Sequence, residues 1–263
     1  MLFTGSLSRA NVLGVGVHAI NMDQAVAAID QAVRNRHKGY VCVTGVHGVM
    51  EAQSDSGFKE ILNNSLLTTP DGMPTVWVGR LQGFRQMDRV YGPDLMLEVC
   101  RLSEKRGYTH FFYGGNHGVA EKLAEALRMR CPGLNIVGMS TPPFRPLNPA
   151  EEQALRDEVS RTRPDFVWVG LSTPKQERFM ADHIGILDCK VMLGVGAAFD
   201  LHTGAMKDAP CWMKRAGLQW FHRLLQEPGR LWKRYLVNNP KFIFKITVQL
   251  LTRRPPWGMS TTQ

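Results

Sequence analysis

The chain has 263 residues, of which 44% are apolar and 21% charged, so it can bury a sizeable core, as one large domain or two small ones, and wholesale disorder is excluded. No apolar run reaches the ~18 residues that a spanning helix needs; the opening MLFTGSLSRANVLG has no signal-peptide pattern; and five widely spaced cysteines without C-x-x-C argue against a disulfide framework or zinc ribbon and fit a reducing cytosol. The net charge of +9 is confined to one end, since residues 1–200 carry 21 Lys and Arg against 21 Asp and Glu, and residues 201–263 carry 11 against 2.

Taken in chain order, VLGVGV (12–17) reads as a strand, and Asn21-Met22-Asp23 opens a helix with Met22, Ala25, Val26, Ile29 and Val33 on one face. YVCVT (40–44) is a second strand, 45–63 a second helix, and Leu66-Leu67-Thr68 leads into the turn Thr69-Pro70-Asp71-Gly72. Helical stretches follow at 73–82 and 94–105. From Thr109 the pattern is regular: strand 109–115, a helix carrying Val119, Leu123, Ala126 and Leu127, strand 135–138, helix 150–162, strand 166–171, helix 174–183 and strand 190–195. Alternation of this kind predicts an α/β fold, a Rossmann-like, mostly parallel sheet flanked by helices. A candidate subdomain boundary lies near 105–108, where the irregular first half meets the regular second half.

Residues 212–225 and 229–251 read as helices around Pro228. They form a basic helical appendage over 204–263, distinct from an α/β catalytic domain over 1–203. Arg223, Arg230 and Arg234 would share one face if the helix axis stayed roughly continuous. A neutral body with a basic tail points to an anionic partner, either nucleic acid or a membrane.

Several loops carry candidate chemistry. Gly14-x-Gly16-x-x-Ala19 superficially matches a dinucleotide fingerprint, but its glycines lie inside the strand and no acidic residue follows about 20 positions on. Gly114-Gly115-Asn116-His117-Gly118 ends a strand and opens a helix, where free N–H groups can hold a phosphate or simply make a tight turn. Asp71 sits at a turn, where it can bond its own backbone or, at a sheet edge, act as a base toward a hydroxyl nucleophile. Gln176 and Glu177 fall in the first turn of a helix after Gly170-Leu171-Ser172-Thr173. There they can stabilise the helix start or read a nucleobase or sugar. Gly194-Val195-Gly196-Ala197-Ala198-Phe199-Asp200 is a third loop of this kind. Three such loops on a parallel sheet are expected to converge at the strand C-termini, where ligands commonly bind. The eight histidines show no metal spacing, so no metal and no cofactor are expected.

Together these segments resemble the WecG/TagA/CpsF family of glycosyltransferases. The resemblance is carried by TPDG (69–72), DRVYGPDL (88–95), FFYGG (111–115), PDFVWVG (164–170), PKQE (174–177), GVGAAFD (194–200), AP-x-W (209–212) and GLQWFHRLLQEP-x-RLWKRY (217–235). It runs from about residue 11 to 244. It implies a metal-independent, inverting hexosyltransferase on the cytosolic face of the cell membrane. Such an enzyme moves a sugar from a UDP donor to a polyprenyl-pyrophosphate-linked saccharide in exopolysaccharide or envelope polysaccharide synthesis.

By that resemblance Asp71 is the general base, with Thr44 beside it. Arg89, Gln176 and Asp200 match the family's donor-contacting positions, and Arg223, Arg230 and Lys233 its basic positions serving the acceptor or the membrane; the loop and helix readings above add Gly114, Gly115, Asn116 and Glu177 to the donor side and Arg234 to the basic face. The implied partners are the UDP-sugar, the lipid-linked acceptor and an anionic membrane surface, with homo-oligomerisation left open and no nucleic acid. Two departures bear on the donor. Thr44-Gly45-Val46 stands where the family carries T-x-N, and Pro142-Pro143-Phe144 where it carries G-Y-F. They turn the expectation toward UDP-glucose and a xanthan-type polymer, with UDP-N-acetylmannosamine or its uronic acid next. A basic nucleic-acid-binding protein is the alternative reading, and a dinucleotide-dependent oxidoreductase a more distant one.

Overall fold

The computed structural model describes residues 7–252; the outermost parts of both expected domains, 1–6 and 253–263, lie outside the described residues. In chain order the first elements are β1 (Arg9–Val12), β2 (Val15–His18), α1 (Met22–Arg34), β3 (Gly39–Thr44), α2 (Val46–Ser54), α3 (Ser56–Asn63), β4 (Leu67–Pro70), α4 (Met73–Leu81) and α5 (Gly92–Arg106). They continue as β5 (Thr109–Gly114), α6 (Val119–Arg130), β6 (Asn135–Ser140), α7 (Pro149–Thr162), β7 (Phe166–Gly170), α8 (Lys175–His183), β8 (Val191–Gly194) and α9 (Ala198–His202). The last are α10 (Cys211–Arg215), α11 (Gln219–Gln226) and α12 (Pro228–Leu251).

The main sheet has the order β4-β3-β8-β7-β5-β6, and β3, β8, β7, β5 and β6 pair in parallel. This is the α/β class expected from the alternation after Thr109. Phe111, Phe112, Val167, Trp168, Val191 and Leu193 are all fully or almost fully buried, as parallel strands covered on both faces require.

The described chain forms two compact units. One gathers the residues through Met22, Val43–Tyr91 and those from Asp208 onward; the other gathers Asp23–Cys42 and Gly92–Lys207. In the second unit, Trp168 Nε1 donates to His110 Nδ1 at 2.9 Å inside the core. Burial pulls the His110 pKa down to about 3, against a weak opposing pull from Asp165, so the ring is neutral.

In the first unit the stretch read as one strand is a hairpin. Its antiparallel strands β1 and β2 pair Arg9 with His18 and Val12 with Val15, turning at Leu13 and Gly14, which both have positive φ. Side-chain amides complete its backbone. Gln82 bonds both the N–H and the carbonyl of Asn11. Gln249 of α12 accepts from Leu13 N at 2.7 Å and donates to Asn11 O, and Gln53 donates to Leu13 O. Unpaired strand edges are thereby covered. The Gly14 fingerprint thus falls in a β-turn, not in a strand-to-helix turn, and the dinucleotide reading loses its structural context.

Two predicted helices are each broken in two. The 45–63 helix stops at Asp55, whose extended backbone and side chain cap α3 through Phe58 N at 2.8 Å. The 212–225 helix is interrupted at Gly217, where φ is +71 and a Cβ would meet the Trp77 ring at 2.8 Å. Pro228 lies in the first turn of α12, as the N-terminal preference of proline predicts. No described helix is long and apolar enough to cross a membrane.

Candidate active site

The predicted site residues fall into two groups, one in each unit. In the first unit, β3 ends at the buried Thr44 and β4 at Pro70. The Asp71 N–H donates to Thr44 O at 3.1 Å and the Val90 N–H to Pro70 O at 2.8 Å, which holds the two strand ends and the 88–91 loop together. The Asp71 carboxylate lies over Gly45, where an added Cβ would be 3.7 Å from Oδ2. Gly45 is the N-cap of α2 and offers no side-chain cap, so the carboxylate sits at the positive end of a helix, where negative charge is favoured.

Arg89 is held beside it. Its Nε donates to the Asp71 carbonyl at 2.7 Å, and Nη2 donates to Gln219 Oε1. Its guanidinium lies 4.0 Å from the centre of the Tyr91 ring. These acceptors are neutral, and among the described residues no carboxylate pairs with Arg89, so its charge remains available to an anion.

The basic residues of α11 and α12 gather around Glu227. Arg223 Nη2 is 3.8 Å from it, and Arg230 makes a two-pronged pair with it. Arg234 is largely buried. Its Nε has no hydrogen-bond partner among the described residues, and its guanidinium lies 5.8 Å from the Tyr235 ring centre. Burial lowers its pKa; Arg223 and Arg230 lower it further, while Tyr235 and Asp71 oppose. The expected shared face of Arg223, Arg230 and Arg234 is therefore present despite the break between α11 and α12. Lys233 belongs elsewhere: it is exposed, with Nζ 5.5 Å from the exposed Trp232 ring.

In the second unit the three expected loops share one sheet edge. Gly114 is in register with Gly170, and Val169 with Gly194. Gly114, Gly115 and Gly118 all have positive φ, and Gly118 caps α6 without a side chain; the Gly115 N–H donates to Gly170 O and the Val119 N–H to Asn116 O. Asn116 is exposed beside them.

Gln176 is only 3% exposed and Glu177 only 1%. Glu177 Oε1 accepts from Thr173 Oγ1 and from Gln176 Nε2. The carboxamide of Gln176 packs on Gly194, where a Cβ would approach it to 3.2 Å, and its buried Oε1 has no hydrogen-bond partner among the described residues. Asp200 is half-buried on α9, its carbonyl accepting from Met206 N and Thr203 Oγ1.

Phe199 is a residue that sequence reasoning passed over. Its ring lies against Gly170 and Gly115 and fills the space that their missing side chains leave. Tyr91, Asp208 and Gln219 were also missed, because only the folded chain shows them meeting. Among the described residues no group of three or more His, Cys, Asp or Glu could hold a metal ion.

Comparison with known proteins agrees with the loops. The profile of the glycosyl transferase WecG/TagA/CpsF family matches residues 10–256. An N-acetylglucosaminyldiphosphoundecaprenol N-acetyl-beta-D-mannosaminyltransferase of Bacillus subtilis strain 168 is 30% identical over 195 residues, 74% of this chain and 73% of the relative. A protein of the same name from Bacillus spizizenii strain W23 is 28% identical over 219 residues, 83% of this chain and 82% of the relative. Neither name carries glucose or xanthan, so the expectation of a UDP-glucose donor and a xanthan-type polymer is not supported and is withdrawn. With its site loops in order along the sequence and the family profile spanning almost its whole length, the chain belongs to the WecG/TagA/CpsF family of glycosyltransferases.

Proposed function

We propose that this hexosyltransferase moves an N-acetylmannosaminyl group from a UDP donor to a polyprenyl-diphosphate-linked N-acetylglucosamine, in cell-envelope polysaccharide synthesis. The observation that carries the reading is the match, over about three quarters or more of each chain, to two relatives bearing that activity.

In this reading Asp71 takes the proton from the acceptor hydroxyl as that oxygen attacks the anomeric carbon on the face opposite the departing UDP. One base suffices for such a single displacement, and a β product from an α-linked donor is its outcome. The position of Asp71 at the start of α2 supports the role, because the helix end favours the carboxylate form. Thr44 fixes the Asp71 peptide through its carbonyl. Charge growing on the departing diphosphate has to be met by fixed donors. In the first unit Arg89 is assigned this role; in the second, Gly114, Gly115, Asn116, Gln176, Glu177 and Asp200 keep the donor-binding roles expected from the sequence.

Arg223, Arg230 and Arg234 are assigned to the diphosphate of the lipid-linked acceptor. The largely buried Arg234 guanidinium, whose Nε has no hydrogen-bond partner among the described residues, supports this, since a cation is costly to bury unless it is well paired. Lys233, with Trp232, Leu236, Ile243 and Phe244 exposed on α12, is assigned to an anionic membrane surface at its cytoplasmic face. The appendage 204–263 is thus the membrane-associating part and 1–203 the remainder of the catalytic domain.

Incubating the protein with polyprenyl-diphosphate-linked N-acetylglucosamine and a panel of UDP-sugars tests the reading. Product mass and linkage should show an N-acetylmannosaminyl residue added with inversion. Faster transfer from UDP-glucose than from UDP-N-acetylmannosamine would overturn it.

A further inference from the structure

The Asp71 loop is held by a chain of contacts that ends on a carboxylate outside all the family motifs quoted above. Arg89 Nε holds the Asp71 carbonyl, Gln219 orients the guanidinium, and Tyr91 supports its face. Both supporting residues converge on one oxygen. Tyr91 OH donates to Asp208 Oδ1 at 3.1 Å and Gln219 Nε2 donates to the same atom at 3.3 Å. Asp208 is itself fixed, with Oδ1 accepting from Ala209 N at 2.8 Å and Oδ2 from Lys214 Nζ at 2.8 Å.

We propose that Asp208 is a positioning residue: through Tyr91 and Gln219 it fixes Arg89, and through Arg89 the peptide that carries Asp71. The proposal rests on the reading of Asp71 as the base.

Three features argue for positioning over plain fold stabilisation. The carboxylate is the shared acceptor of groups from four places in the chain, the 88–91 loop, the segment before α10, α10 itself and the first residue of α11. Its charge is kept one residue away from Arg89, with the neutral Gln219 amide interposed, so Arg89 is oriented without being neutralised. A guanidinium needed for an anionic ligand requires that arrangement, because a directly paired carboxylate would compete with the ligand. Burial also acts in the same place. It pushes the Asp208 carboxyl up, but the Lys214 ammonium, the Tyr91 hydroxyl and the Ala209 N–H outweigh it and hold the group below the usual carboxylate range. Burial and the charges of Asp208 and Asp71 raise the Tyr91 phenol, against a smaller pull from Arg89, so Tyr91 stays a donor.

Asp208→Ala and Asp208→Asn, made in the full chain, test this by steady-state kinetics with UDP-N-acetylmannosamine and the lipid-linked acceptor. Asp208→Ala should lower kcat about 10–100-fold, the scale of a slightly misplaced catalytic group, with KM for the UDP-sugar changed much less. Asp208→Asn keeps an oxygen for Tyr91 and Ala209 and should recover most of kcat. A kcat within twofold of wild type in Asp208→Ala, a loss confined to KM, or equal losses in both variants would overturn the proposal.

If Asp208→Ala does not fold, Tyr91→Phe removes one contact to Asp208 and keeps the ring. It should lower kcat severalfold without lowering the melting temperature in step, and an unchanged kcat would overturn the proposal. Asp71→Asn, run in parallel, separates the two readings. Its retained activity would sink the base assignment and the proposal with it, whereas an inactive Asp71→Asn beside a fully active Asp208→Ala sinks the positioning role alone.

Discussion

A Cβ on Gly114 would stand 2.7 Å from the carbonyl carbon of Gly170, its register partner on the neighbouring strand. Side chains do not make that approach to backbone, and Gly114 also holds a φ of +127, which residues with a Cβ avoid. Gly114→Ala should therefore destabilise the fold by about 2–4 kcal/mol. Gly118→Ala, with positive φ but open space around it, should cost only about 1 kcal/mol. Urea unfolding of the two variants checks the contrast, and equal costs would contradict the crowding argument.

Asp71→Asn keeps the shape of the side chain and removes its basicity. Turnover should fall about 10²–10⁴-fold, with the melting temperature nearly unchanged. Near-normal turnover in the purified variant would remove Asp71 from the base role.

Arg234 should show opposite signs for activity and stability. Replacing its buried, poorly neutralised guanidinium by Gln removes a cost of folding, so Arg234→Gln should unfold at the same or higher temperature, a gain of up to about 1–2 kcal/mol. The same change should raise KM for the lipid-linked acceptor at least about tenfold, the loss of one charge-assisted contact. A variant that loses stability and keeps KM would show a structural arginine instead.

Two buried imidazoles make stability depend on pH. Burial, with the Arg9 charge, pulls His18 down to about 3 against a small opposing hydrogen bond from Thr68, and His110 reaches about the same value. Unfolded histidines take up protons below about 6.5 while these two stay neutral in the fold. Their contribution is therefore complete above about 6.5 and is lost as pH falls toward 3, with a slope of about 1.4 kcal/mol per pH unit for each ring. His110→Phe strands the Trp168 N–H and lowers stability overall, but it should also flatten the slope between pH 6 and pH 4. Denaturant melts across that range read the slope directly, and an unchanged slope would place the acid sensitivity elsewhere.

Membrane association is best tested by point changes. Lys233→Gln should weaken binding to vesicles containing anionic lipid by about fivefold, the effect of one interfacial charge at about 1 kcal/mol, and high salt should abolish the difference. Phe244→Ser should weaken binding in a salt-insensitive way. Flotation that ignores both changes would argue against α12 as the membrane face. Deleting the appendage is a poorer test, because Gln249 completes the backbone of the β1–β2 hairpin and its removal exposes that edge.

The second unit was largely legible in the sequence, because β5, β7 and β8, covered on both faces, need apolar runs and each of the three ends in glycine. Asp71 and the loops of Gly114 and Gln176 could be placed at strand ends for the same reason. The β1–β2 hairpin could not, because its edges are completed by side chains remote in sequence; Gln249 and Asn11 are 238 positions apart. Asp208 was invisible for a similar reason: as a loop carboxylate beside a proline-containing turn it carries no pattern, and its meaning lies in Tyr91 and Gln219 reaching it. The expectation of UDP-glucose rested on two local departures, at Gly45-Val46 and at Pro142-Pro143, which weigh less than the match along the rest of the chain to the two relatives.

The hairpin clasp also sets an order for biosynthesis. The unit built from Asp23–Cys42 and Gly92–Lys207 has all its residues once Lys207 has left the ribosome, and domains fold as units while synthesis proceeds. The unit bearing Asp71 does not, since the hairpin waits for Gln249 and Arg89 waits for Gln219. A nascent chain therefore carries an unfinished first unit until Gln249 has been made, and one released before that residue lacks the hairpin's clasp however well the other unit has formed.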